Sequence, residues 1–150
     1  MWEEFFIPKI DNSMWWIYAL LSAFFAALTA IFAKVGVSNV NSDLATAIRT
    51  VVILLIAWAI VFARSEQRGL ATISKHNYLF LIISGVATGL SWIFYFKALQ
   101  AGKVSQVAPV DKLSVALTII LAAVFLKEII TLQMMLGAAL IIAGTVILIL

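Results

Sequence analysis

Five apolar stretches, each about as long as a bilayer-crossing helix, leave this chain of 150 residues little scope to be anything but an integral membrane protein. A helix needs about 20 mainly apolar residues to cross a hydrocarbon core of about 30 Å. The stretches run Met14–Gly36, Leu44–Ala63, Tyr78–Leu99, Val104–Leu126 and Thr131–Leu150. Backbone N–H and C=O groups in lipid have no water to bond, so the spans are predicted to be helices and the fold all-α. Composition agrees: 65% of residues are hydrophobic and 11% charged, against about 45–50% and about 25% in soluble domains. That leaves too little polar surface for a water-exposed shell. The longest connector, Arg64 to Asn77, has room for a brief surface helix at most.

Residues 1–13 stand apart from the membrane domain of residues 14–150. Glu3 and Glu4 make the start acidic, unlike the basic start of a cleaved signal peptide. Trp2, Phe5, Phe6 and Ile7 before Pro8 suit a segment at the headgroup level, and Trp15, Trp16 and Tyr18 an interfacial anchor for the first span. The alternative is an extension ahead of a start at Met14.

Several chemistries are disfavoured. Cysteine is absent and the one histidine, His76, sits in a connector without ligand partners, so neither a metal site nor a cofactor is expected. The net charge of +3 is scattered, with no basic run suited to nucleic acid. No HExxH, GxSxG, P-loop or base-plus-orienter set occurs, which argues against an enzyme.

Basic residues give a balanced topology signal. Lys9, Arg64, Arg68, Lys75 and Lys127 fall on the side of the N-terminus, and Lys34, Arg49, Lys97, Lys103 and Lys112 nearer the other side. The positive-inside rule is therefore weak here. Connectors alone, without Arg49 and Lys112, favour a cytoplasmic N-terminus. Two readings stay open: one dominant orientation, or both orientations inserted and paired as an antiparallel dimer.

Polar and small residues recur at helical spacing. The first span has Ser22, Ala26, Thr29, Ala30 and Ala33; the third has Ser84, Thr88, Ser91 and Tyr95, beside the pair Gly85 and Gly89. The fourth has Asp111, Ser114 and Thr118, and the fifth Gly137 and Gly144. Such stripes serve ordinary helix packing or line a polar cavity. Ionisable groups inside spans weigh more, because they are costly in lipid and face a partner or a cavity. Asp111 and Lys112 lie within the fourth span just after Pro109, and Arg49 about one turn into the second. Pro109 lacks an N–H, which predicts an irregular or re-entrant Val104–Pro109. Lys34, Lys97 and Lys103 read as helix-end groups reaching the headgroups.

Three stretches carry a family resemblance: SDLATAIRT (Ser42–Thr50), TGLSWIFYFKALQAGKVSQVAPVDKLS (Thr88–Ser114), and FLKE with GAALIIAG (Phe125–Glu128, Gly137–Gly144). They resemble the EamA domain, the repeat unit of the drug/metabolite transporter superfamily, and in particular a prokaryotic group with a single repeat. The resemblance implies a multi-pass protein of the prokaryotic cell (inner) membrane, in contact with membrane lipids. Two-repeat relatives hold substrate between inverted halves. One repeat implies a second copy, with a likeness to those relatives if the homodimer is antiparallel. The related small multidrug resistance proteins couple protons through a Glu in their first helix; here the first span has no acid between Trp15 and Ala33, which excludes that route.

The expected function is transport of an unidentified small polar or amphipathic solute by alternating access. Asp111 is the candidate titratable group, Arg49 or Lys112 the anion partner, Trp92 and Tyr95 holders of a ring or cation, and Ser91 and Ser114 part of the cavity lining. Two other classes remain: a flippase of a lipid-linked substrate, using Arg49, Lys97, Lys103 and Lys112 at one headgroup level, and a non-transporting partner subunit.

Overall fold

The computed structural model describes residues 12–150. The interfacial segment expected at the N-terminus lies, up to residue 11, outside the described residues. Among them there are six α-helices and no strand. They are α1 (Trp15–Gly36), α2 (Ser42–Ala63), α3 (Lys75–Ala101), α4 (Val104–Asp111), α5 (Leu113–Phe125) and α6 (Leu132–Ile149). With α4 and α5 taken as one broken span, five helical segments are long and apolar enough to cross a membrane. Only 6–11% of the most apolar stretch of each is buried inside the protein. That surface is covered by lipid or by another chain.

Local chemistry sets the helix ends. The Asn41 carboxamide oxygen accepts the Asp43 and Leu44 N–H groups at 2.9 and 3.3 Å, and Asp43 adds a negative charge to the positive end of α2. Ser74 caps α3 by accepting the Asn77 N–H at 3.1 Å, and Thr131 caps α6 by accepting the Met134 N–H at 3.2 Å. The long connector folds into a 3-10 helix, Glu66–Thr72, which packs on α2. The Tyr78 hydroxyl donates to Leu70 O at 3.1 Å and ties this connector to α3.

The fourth span departs from expectation. Val104–Pro109 is helical rather than irregular, and the break falls at Lys112, three residues beyond Pro109. Proline restricts the residue before it and removes the bond its own N–H would make, and α4 carries Pro109 as an interior residue at that cost. The bonding pattern changes downstream. The Lys112 N–H is drawn to Pro109 O at 3.0 Å as well as to Ala108 O at 3.3 Å, and Val115 N–H restarts the helix from Lys112 O at 3.0 Å.

The chain divides into two compact units after Lys97. In the first, the buried apolar residues Ala30, Ala33 and Phe96 come from the C-terminal parts of α1 and α3 and Val37 follows the end of α1; Ser42 and Thr46 at the start of α2 join them. In the second, α6 packs against both α4 and α5, with Ala116 and Thr145 buried.

Candidate functional site

The first unit gathers its chemistry on one face of α2. Ser42, Thr46 and Arg49 recur at i, i+4 and i+7, so they share a side of the helix. Ser42 and Thr46 are buried. Thr46 satisfies its hydroxyl within the helix, donating to Ser42 O at 2.8 Å. Among the described residues the Arg49 side chain has no such backbone partner. Its guanidinium carbon lies 4.6 Å from the centre of the Phe96 ring and 5.3 Å from that of Trp92. Trp92 and Phe96 are one helical turn apart on α3 and present two π-faces to the cation. Tyr95 meets Phe96 edge-to-face at 6.2 Å.

This seat opens into a cavity of about 430 Å³. Thr29, Phe32 and Ala33 of α1, Ala45 and Ile48 of α2, and Phe96 of α3 supply most of its walls, and Arg49 is the charged group among its lining residues. Asp43, the acid closest to Arg49 in sequence, pairs with Lys97 at 3.3 Å, both well exposed. The other ion pairs among the described residues are Arg64–Glu66 at 3.9 Å and Lys112–Asp111 at 3.2 Å; none includes Arg49.

The sequence-derived residues fall into separate groups. Arg49 and Trp92 come together in the first unit, and the cation on the Trp92 face is the chain's own arginine. Ser91 is exposed on α3. In the second unit Asp111 and Lys112 pair with each other across adjacent positions at the break in the fourth span. Ser114 is exposed, and its carbonyl accepts the Thr118 hydroxyl at 2.8 Å. Thr88 likewise donates to Ser84 O at 2.9 Å, so these stripe threonines are satisfied by their own helices. At Gly85, Gly89, Gly137 and Gly144 an added Cβ would meet nothing within 4 Å among the described residues, so none of these glycines sits at a close helix contact within its own unit.

Three features escaped the sequence reading. Phe96 is 0% exposed, and its signal was the Trp92–Phe96 spacing opposite the Ser42–Thr46–Arg49 face. Thr145 is 4% exposed, the one hydroxyl in α6, and donates to Pro109 O at 3.2 Å. Gly102 joins α3 to α4, and a Cβ there would stand 2.9 Å from Val107 Cγ2 and 3.3 Å from Ala98 O. A glycine between a helix end and a basic residue was the available signal.

A family model described as the EamA-like transporter family matches residues 13–150. The chain belongs to that family. It is thus a multi-pass membrane protein made of one EamA unit, as its motifs implied. It is similar to a Sinorhizobium protein named an uncharacterized transporter in the cobO 3' region, at 52% identity over 137 residues, 91% of this chain and 97% of the relative. It is also similar to an uncharacterized protein of Methanocaldococcus jannaschii, at 30% identity over 132 residues, 88% of this chain and 93% of the relative. Both relatives therefore have the length of one EamA unit. No solved structure matches the chain.

Proposed function

We propose that this EamA protein is a transporter, and not an enzyme, of the prokaryotic cell (inner) membrane, working as a homodimer that moves a small polar or amphipathic solute by alternating access. Its family membership over residues 13–150 carries the reading, and the transporter name of its bacterial relative supports it. Dimerisation is supported by the uncovered apolar spans and by the four glycines whose faces are open to a neighbouring helix. The balanced lysines and arginines suit an antiparallel pair. Asp111, half-exposed beside Lys112 at the break in the fourth span, is the proposed titratable group. Arg49 is the proposed anion partner, and Ser91, Tyr95 and Ser114 contribute to the solute path.

Uptake of a panel of labelled solutes into proteoliposomes containing the purified chain alone tests this reading. Saturable uptake of at least one solute is expected, with its pH dependence lost in Asp111→Asn. No uptake without a second, different chain would instead make the protein a partner subunit. Unchanged pH dependence in Asp111→Asn would remove that residue from coupling. Compartment-specific reporters on the C-terminus test the pairing: a single location ends the antiparallel form.

A further inference from the structure

An arginine inside an apolar span needs a counter-charge or water, because both lipid and protein interior penalise the bare ion. Among the described residues Arg49 has neither a carboxylate partner in an ion pair nor a hydrogen-bonded backbone carbonyl for its side chain. Its contacts are the faces of Trp92 and Phe96. Rings offset part of the cost of desolvating a guanidinium but satisfy none of its five N–H donors. Those donors adjoin a cavity of about 430 Å³ whose other lining residues are uncharged and, apart from Thr29, apolar. The acid closest in sequence, Asp43, is held by Lys97.

We infer that this cavity binds an amphipathic anion, an apolar or aromatic body bearing one anionic head, with the head on the Arg49 guanidinium and the body against Phe32, Ile48 and Phe96. The inference rests on the transporter reading only for what such binding accomplishes; the site itself stands on the geometry. Three features set the ligand class. A single uncompensated positive charge selects a single anionic group, and the planar guanidinium fork suits an oxyanion held through two N–H bonds. Apolar walls reward a ligand body that leaves water. A cationic ligand would meet Arg49 with no acid in the lining to offset it. The anionic head has two chemical sources, a soluble amphipathic anion or the phosphate of a lipid.

Isothermal titration of the full chain in phosphatidylcholine nanodiscs tests the inference with three probes of similar size: benzenesulfonate, methyl phenyl sulfone and benzyltrimethylammonium. The anion is expected to bind saturably, at least tenfold tighter than the neutral sulfone, with the cation weakest. Arg49→Gln is expected to erase the preference for the anion, and Arg49→Lys to keep it at lower affinity. Should Arg49→Gln fail to fold, Ala45→Leu, which narrows the cavity while leaving the charge, is expected to weaken benzenesulfonate by a similar factor. Equal affinities for the three probes, an anion preference untouched by Arg49→Gln, or a benzenesulfonate affinity untouched by Ala45→Leu would overturn it. A second titration in discs containing phosphatidylglycerol separates the sources: competition by that lipid assigns the site to a lipid phosphate, and unchanged affinity assigns it to a soluble anion. The transporter reading fails independently. Saturable anion binding without flux leaves the site standing, whereas flux of cationic solutes with no anion binding removes the site and keeps the transporter.

Discussion

The two units of this chain hold their helices together by different chemistry. In the first, a cation over two rings and a cluster of small residues join α1, α2 and α3 at one end only, beside an open cavity. In the second, backbone groups do the joining. The Thr145 hydroxyl reaches the Pro109 carbonyl across 36 residues, and Gly102 lets Val107 approach the end of α3. The contrast follows from membrane energetics. Between helices in lipid there is no hydrophobic driving force, so close packing and polar contacts must hold them together. The second unit uses such contacts to close its packing, and the first spends its strongest polar group beside empty space.

Substitutions can break that comparison. The largest effect is expected from Phe96→Ala, because Phe96 is fully buried and also forms the nearer wall of the Arg49 seat. Deleting roughly 100 Å³ of side chain at about 24 cal/mol per Å³ of cavity costs about 2 kcal/mol, and the lost ring contact adds about 0.5–1 kcal/mol. Reversible unfolding in mixed micelles measures it; a cost below about 1 kcal/mol would mean that the seat does not hold the first unit. Next comes Gly102→Ala. Its Cβ would press on the stiff, β-branched Val107 at 2.9 Å, and the expected cost is about 1–2 kcal/mol. Gly85→Ala, with nothing within 4 Å, is expected to leave the isolated chain unchanged or slightly more stable in the same assay. A modest cost is expected from Thr145→Val, which keeps shape and removes one interhelical hydrogen bond. About 0.6 kcal/mol is the average for such bonds in a membrane protein. Thr118→Val should cost less still, since its hydroxyl bonds within its own helix. Equal costs for the two threonines would remove the polar tie from the account of the second unit.

Much of the fold is legible in the amino-acid sequence. All five spans are located there to within a few residues, because apolar length is a one-dimensional property that the bilayer thickness reads directly. Family motifs do the same for identity. The break in the fourth span is visible as Pro109 but displaced from it, because proline's effect depends on where its helix starts and on which carbonyls find other donors. Here the helix starts at Val104, and Pro109 O takes both the Lys112 N–H and the Thr145 hydroxyl.

The site is less legible. Arg49 and Trp92 both stand out in the sequence, but each for a different partner. Their union depends on which faces of α2 and α3 meet, and spacing within one helix is silent on that. The glycine pairs illustrate the converse: GxxxG spacing marks a face where close approach is permitted, but among the described residues no helix of the same unit occupies it. Sequence by itself determined that this is a five-span membrane protein of one EamA unit, since hydropathy and local motifs need no long-range contacts. Only the tertiary structure decided that Arg49 rests on Trp92 and Phe96 at the edge of a cavity and that Thr145 holds Pro109. Those pairings join residues 43, 47 and 36 positions apart, and such contacts are settled by packing in three dimensions rather than by any local pattern.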